Sequence, residues 1–380
     1  MTALSSTGVG PASMPDTSSW DAPLVEPQPS TELSRKFRRR TGLVPTVVPY
    51  LAPHPWLYRP FLFLSAPTVH HIDTDLVSAI CFVVARDNAC RFCFGTFWAF
   101  LRMAGYTKSD LDRLEGDMYL GDRDRAEEGA LRFAIRVSQG RLRSHQGGSV
   151  EQLRDIGLAP PAIREVVGSA VLGTLVNRAS TMLASPVNHR LEDMTSRWYF
   201  DLIQPIVSPL LHGWQQLSSH RTSVLAPEDV SGPFGEWTGT LVGTSIGSLL
   251  QDLTQKWIRP DGALALRPKL LMLAVVARGL HVTFLEKRAY TLLAERTSTP
   301  RAEAKALVDH LGDGQGSSAE SSLLQLARAA IRYEAGHIQR ATRRHTQDLS
   351  RDETIDAVAS VALTNALARL RVLQPLSESR

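Results

Sequence analysis

Two apolar segments of this chain end in the same four residues. Ser78-Ala79-Ile80-Cys81-Phe82-Val83-Val84-Ala85-Arg86 and Leu270-Leu271-Met272-Leu273-Ala274-Val275-Val276-Ala277-Arg278 both close on Val-Val-Ala-Arg. Each segment is apolar on nearly every side, so each has to be buried, and the length suits a helix. Similar patterns follow both segments in the same order. Leu131 to Val137 is echoed by Leu323 to Tyr333, with a shared Ile-Arg pair (Ile135-Arg136 and Ile331-Arg332). Asp155 to Ser180 is echoed by Asp348 to Leu370, where Gly168-Ser169 matches Ala359-Ser360 and Arg178 matches Arg369. Nothing alternates with period two over a useful length. The pattern predicts an all-α chain made of two tandem copies of one helical unit, packed together as a pseudo-dimer.

The expected organisation has four parts. A disordered, basic tail covers 1–40, a first helical copy 41–180, a connector 181–232 and a second copy 233–380. The tail is polar and rich in Ser, Thr and Pro, and it closes on Arg35-Lys36-Phe37-Arg38-Arg39-Arg40, read as a solvated charge run. With 42 basic and 38 acidic residues the net charge is only +4, too balanced to argue for nucleic acid. The uninterrupted apolar runs are far short of a membrane span. Three cysteines cannot all pair within one chain, and the N-terminal residues lack a secretory pattern. The expected setting is a reducing cytoplasm, where a CxxC is redox-active or metal-binding more often than structural.

The CxxC is Cys90-Arg91-Phe92-Cys93. Asp87-Asn88 is a turn signal, and Phe92, Cys93, Thr96, Phe97 and Phe100 then recur at three and four, so a helix opens at the motif. On a helix, residues i and i+3 share a face, near enough for a disulfide. The free N–H groups and dipole of a helix N-terminus also favour a thiolate. Val282 and Leu285 stand in the corresponding places of the second copy, so any chemistry of the pair resides in the first. Three uses of the pair stay open: a redox dithiol, two small buried hydrophobes, or a metal site. A structural zinc needs about four ligands, and His70 and His71 would have to supply the missing two. The expectation is therefore no metal and no cofactor. Phe92, Phe97 and Trp98 stand around the cysteines as candidate walls of an apolar pocket.

Ala85-Arg86-Asp87-Asn88-Ala89-Cys90-Arg91-Phe92-Cys93, between a buried helix and an aromatic-rich one, resembles the alkyl-hydroperoxidase D / carboxymuconolactone decarboxylase superfamily. His54-Pro55 upstream, and Gly105-Tyr106 and Asn177-Arg178 downstream, fit the same resemblance. It implies an all-helical, commonly oligomeric fold. It also implies a thiol peroxidase in which Cys93 attacks the peroxide and Cys90 resolves the product. The partners it implies are a small-molecule peroxide or a partner disulfide or dithiol protein, in a homo-oligomer without nucleic acid or membrane. Where the family's peroxidases carry a relay Glu and His, this chain has Ser78 and Phe97. Asp75, His70 and His71 are the candidate substitutes for that relay. The alternative is a non-catalytic member that acts in binding or assembly.

Overall fold

The computed structural model describes residues 20, 22–52, 54–117, 125–140, 150–206, 208–209, 232–312 and 319–374. Among these there is no strand, and the chain is all-helical. The first half runs through α1 (Thr31–Thr41), α2 (Val48–Leu51), α3 (Tyr58–Ser65), α4 (Thr74–Asp87), α5 (Arg91–Met103), α6 (Lys108–Asp117), α7 (Arg125–Gln139), α8 (Val150–Asp155) and α9 (Pro160–Met182). Then come α10 (His189–Ser196) and α11 (198–206). The second half holds α12 (Gly235–Thr238), α13 (Ser245–Trp257), α14 (Leu266–Gly279), α15 (Thr283–Thr297), α16 (Arg301–Asp309), α17 (Ala319–Ala329), α18 (Ala335–Thr346) and α19 (Arg351–Arg369).

The centre is the pair α9 and α19, which pack against each other and are buried on all sides. A helix apolar all round has no solvent face, so others must cover it. In the first half α4 and α7 lie on α9, and α5 and α6 lie on α4. In the second half α14 and α17 lie on α19, and α15 and α16 lie on α14. Pro160 supplies a preset first turn for α9, while Ser350 and Glu353 close a reciprocal capping box on α19. A Cβ at Gly168 would stand 2.8 Å from Ile246, so the absence of a side chain there is what lets α13 approach α9.

The two halves also share their turns. Ala89 (φ 47°) and His281 (φ 57°) are left-handed residues that end α4 and α14. Cys90 N–H donates to Ala85 O (2.9 Å) and Ala89 N–H to Arg86 O (2.9 Å). Val282 N–H donates to Ala277 O (2.8 Å) and His281 N–H to Arg278 O (3.0 Å). Both are Schellman closures built on a residue other than glycine. The central helices also mirror each other in their buried acids. The Glu165 carboxylate accepts the backbone N–H groups of His70, His71 and Ile72 at 2.8–3.1 Å, and so pins the loop before α4. The Asp356 carboxylate accepts Leu264 N–H at 2.9 Å and so pins the loop before α14.

Arginines at the ends of the two central helices cross between the halves. Arg178 on α9 donates to Ala330 O (3.1 Å) and Ile331 O (3.3 Å), just past α17. Arg369 on α19 donates to Ser138 O (2.6 Å) at the end of α7, and Arg371 donates to Gly140 O (2.7 Å). Cations at a helix C-terminus satisfy its orphan carbonyls and favour its dipole.

Two sequence expectations are corrected here. Residues 31–40, assigned to a disordered tail, form α1. Ser30 caps it, Leu33 and Phe37 are buried, and Arg40 donates to Ala66 O at 2.9 Å. The expected disorder of 1–19 lies outside the described residues. The Ile-Arg echo is not a structural equivalence, because Ile135-Arg136 lies inside α7 and Ile331-Arg332 lies beyond the end of α17.

Candidate functional site

The Schellman turn after α4 makes Cys90 the N-cap residue of α5, with Cys93 one turn further on. Both thiols are free and fully buried. Their surroundings come from three places in the chain. Cys93 Sγ lies 3.5 Å from the Ser180 hydroxyl on α9. The Cys93 thiol, the Thr181 hydroxyl of α9 and the Tyr333 hydroxyl of the loop between α17 and α18 are near enough to Cys90 to change its acidity. Tyr333 Oη is hydrogen-bonded to Thr181 and donates to Asn177 O at 3.1 Å. The Arg178 guanidinium lies over the Tyr333 ring, 5.1 Å from its centroid, a cation–π arrangement. The site is therefore composite: thiols from the first half, a phenol from the second.

The two sulfurs differ in acidity. Burial pushes Cys90 up, but the Cys93 thiol and amide, Thr181 and Tyr333 outweigh it and hold Cys90 below the ordinary thiol value. Burial and the neighbouring Cys90 push Cys93 well above it. Burial also raises Cys81, on α4, well above the usual range. Asn177 is fully buried one turn before Ser180 and Thr181, and its side-chain amide has no hydrogen-bond partner among the described residues.

The residues named from sequence separate into two groups. Phe92 and Phe97 do line a small apolar cavity of about 20 Å³ beside Cys93, together with Phe61, Leu64 and Val176. That is room for about one water. Trp98 does not line it. It lies against Arg102, whose guanidinium is 5.9 Å from the indole, because a residue next to Phe97 points to another face of the helix. Of the candidate relay groups, Ser78 Oγ donates to Thr74 O (3.3 Å) within α4, and Asp75 lies in the first turn of that helix. His70 and His71 are exposed, and their backbone N–H groups, not their rings, engage Glu165.

Sequence reasoning missed Ser180, Thr181, Tyr333 and Glu165. The signal for Glu165 was legible: a lone acid inside an apolar helix has to be satisfied by something. Ser180 and Thr181 are likewise polar residues at the end of such a helix. Nothing local pointed to Tyr333.

No family model, curated protein or solved structure matches the chain. Among the described residues, no three His, Cys, Asp or Glu side chains converge to hold a metal, and no helix is long and apolar enough to cross a membrane.

Proposed function

We propose that Cys90 and Cys93 form a redox-active dithiol. In this reading the chain is a thiol-dependent oxidoreductase resembling the alkyl-hydroperoxidase D superfamily, with two tandem copies packed as a pseudo-dimer. The observation that carries the reading is the placement of two free thiols one helical turn apart at the N-terminus of α5, Cys90 as its N-cap residue and Cys93 in its first turn beside the Ser180 hydroxyl. Neighbouring thiols at a helix N-terminus suit a division of labour in which one sulfur attacks and the other resolves. The matched helix packing, the paired Schellman turns and the reciprocal arginines support the duplication.

With a hydroperoxide as oxidant the steps balance. The thiolate attacks the peroxide oxygen and the O–O bond breaks. The departing alkoxide takes the proton the thiol gave up, and a sulfenic acid remains. The second sulfur attacks that sulfur, the S–S bond forms, and water leaves. Two thiols and one hydroperoxide become one disulfide, one alcohol and one water. A dithiol partner restores the pair by exchange.

The complete burial of both sulfurs favours a second reading, a non-catalytic relative whose cysteines act as packing groups. One experiment separates the two. The folded protein is treated with a mild oxidant or an alkyl hydroperoxide, then denatured, alkylated and mapped by mass. The expected product is a Cys90–Cys93 disulfide, reversed by dithiol, with Cys81 still a thiol. Persistence of both thiols, or preferential modification of Cys81, supports the packing reading.

A further inference from the structure

Helix α11 is built inside out. Its inward side carries polar groups. Gln204 Nε2 donates to Arg102 O (2.5 Å) and Tyr106 O (2.9 Å), Asp201 pairs with the Arg102 guanidinium, and Ser208, just past the helix, donates to Met103 O (2.8 Å). Phe200 is the one large apolar side chain of 198–206 that turns inward, with the Arg102 guanidinium 5.4 Å from its ring. The outward side is apolar: Trp198 is 73% exposed, Leu202 68% and Ile206 67%, with Tyr199 and Ile203 beside them. A surface helix of a monomer turns its apolar stripe to the core and its polar side to water. We propose that the outward face of α11 is a homodimer interface, in which α11 of one copy of the chain packs antiparallel on α11 of a second copy, about a two-fold axis near Leu202.

Size and shape suit a second copy. Trp198, Leu202 and Ile206 recur at four, so they form one row about 12 Å long, and Tyr199 and Ile203 form a second row beside it. Together the five side chains expose roughly 600 Å², the upper end of what the largest patch on an ordinary monomer shows. One partner of a standard interface buries about 800 Å². With its immediate rim, the exposed Met194 and Pro205, the face comes close to that size. An axis at the middle of the row sets Leu202 against Leu202 of the partner subunit. At each end it sets Trp198 against Ile206 of the partner subunit, a large ring on a branched aliphatic group. That is the self-complementary pairing an isologous contact requires, with an aromatic anchor at either end.

Charge selects the second copy over other occupants. The single charged side chain in 198–206 is Asp201, and Arg102 of its own chain engages it. Two such faces therefore meet without like-charge repulsion. A lipid-surface helix carries Lys and Arg beside its apolar face, and α11 carries neither. A charged peptide would find no opposite charge on the stripe. The face is also held in place before any partner arrives. Arg102 donates to Thr195 O (3.2 Å) on α10 and to Tyr106 O (2.6 Å), and Lys108 Nζ donates to Ser196 O. A preset face loses less freedom on association. Both α10 and α11 fall within 181–232, outside the two helical copies, so the interface leaves the pseudo-dimer core untouched and does not depend on the thiol chemistry. The competing occupant within the chain is 210–231, which follows α11 and lies outside the described residues.

The test is the mass of the full chain in solution, followed by sedimentation velocity over a range of concentrations. Wild type should be a dimer at about 10 μM, since interfaces of standard size bind at micromolar strength or tighter. Leu202→Glu sets two like charges against each other at the axis. It should raise the dissociation constant by about 30-fold or more, the loss of one hot spot, and leave the helical signal of the monomer unchanged. Leu202→Cys gives an independent readout: mild oxidant should join two copies through the new thiols, under conditions that leave wild type unlinked. A wild type still monomeric at about 100 μM overturns the proposal. So does a dimer that Leu202→Glu leaves intact. Unfolding of Leu202→Glu, with no cross-link from Leu202→Cys, shows that 210–231 of the same chain covers the face, and overturns it as well. Binding of monomeric wild type to phosphatidylcholine–phosphatidylglycerol vesicles, abolished by Leu202→Glu, gives the face to lipid with the same consequence.

Discussion

Asp356→Ala should destabilise the fold by about 3–5 kcal/mol, measured by denaturant unfolding at neutral pH. Lys269 and Asp356 are both buried, with Lys269 Nζ 2.8 Å from Asp356 Oδ2. Removing the carboxylate leaves an ammonium in the core with Trp257 O, 3.4 Å away, as a remaining acceptor. It also strands the Leu264 amide that fixes the loop before α14. His54 Nε2 stands 3.6 Å from Oδ1, too far for a hydrogen bond. Adding Lys269→Met to Asp356→Ala should recover part of the loss, because a buried ion pair is far cheaper to delete whole than by half. If the double variant is as unstable as the two single losses summed, the pair is not coupled and the account is wrong.

The same carboxyl gives a pH dependence with a definite sign. Burial alone would raise its pKa, but His54, Lys269 and the Leu264 amide outweigh it and hold it below the ordinary aspartate value. A carboxyl whose folded pKa is depressed contributes its stabilisation in full above the unfolded pKa, about 3.9. That contribution is lost as pH falls from there through the folded value. The difference in stability between wild type and Asp356→Asn should therefore be constant in neutral buffer and shrink in acid.

Arg178→Ala should cost about 2–5 kcal/mol. It removes two hydrogen bonds across the halves, uncaps the end of α17, and leaves a cavity where one of the largest fully buried side chains had been. Among the described residues neither Arg178 nor Arg369 is in an ion pair, and burial lowers the pKa of both. A charge buried without an acid works against its own burial. Arg178→Met, which refills the volume without the charge, should therefore be less destabilising than Arg178→Ala. Equal losses in thermal melts would show that the carbonyl caps, not the volume, dominate. Arg178→Lys should not rescue, since a point charge cannot serve both carbonyls as the planar fork does.

Helices were legible wherever apolar residues keep a helical period: Ser78 to Arg86 lies inside α4, Leu131 to Val137 inside α7, and most of Asp155 to Ser180 is α9. The failure at α1 has a physical cause. Its burial rests on Leu33 and Phe37, four residues apart, inside a run dominated by charge. A narrow apolar stripe is masked by composition. The Ile-Arg echo failed for the opposite reason: two identical residues carry too little information to set a register, and burial set it elsewhere. At the site, the Cys90–Cys93 spacing was readable because a helix turn makes i and i+3 neighbours. Tyr333 was not, because its contact with Thr181 joins residues 152 apart in the chain, where no periodicity reaches. Trp98 was misplaced because aromatic density along a helix does not say which face each ring takes.

The crossing arginines set an order of events during synthesis. The first half has all its helices once α9 is made, but the carbonyls of Ser138 and Gly140 at the end of α7 wait for Arg369 and Arg371. Those arginines lie at the end of α19 and just beyond it, 231 residues later in the chain. Until then the end of α7 and the inner side of α9 face water or a chaperone, and the nascent chain exposes an apolar surface as wide as its own future core. Truncation before Arg369 should thus trap a species that holds helical structure but aggregates, even though it contains every residue of the first half.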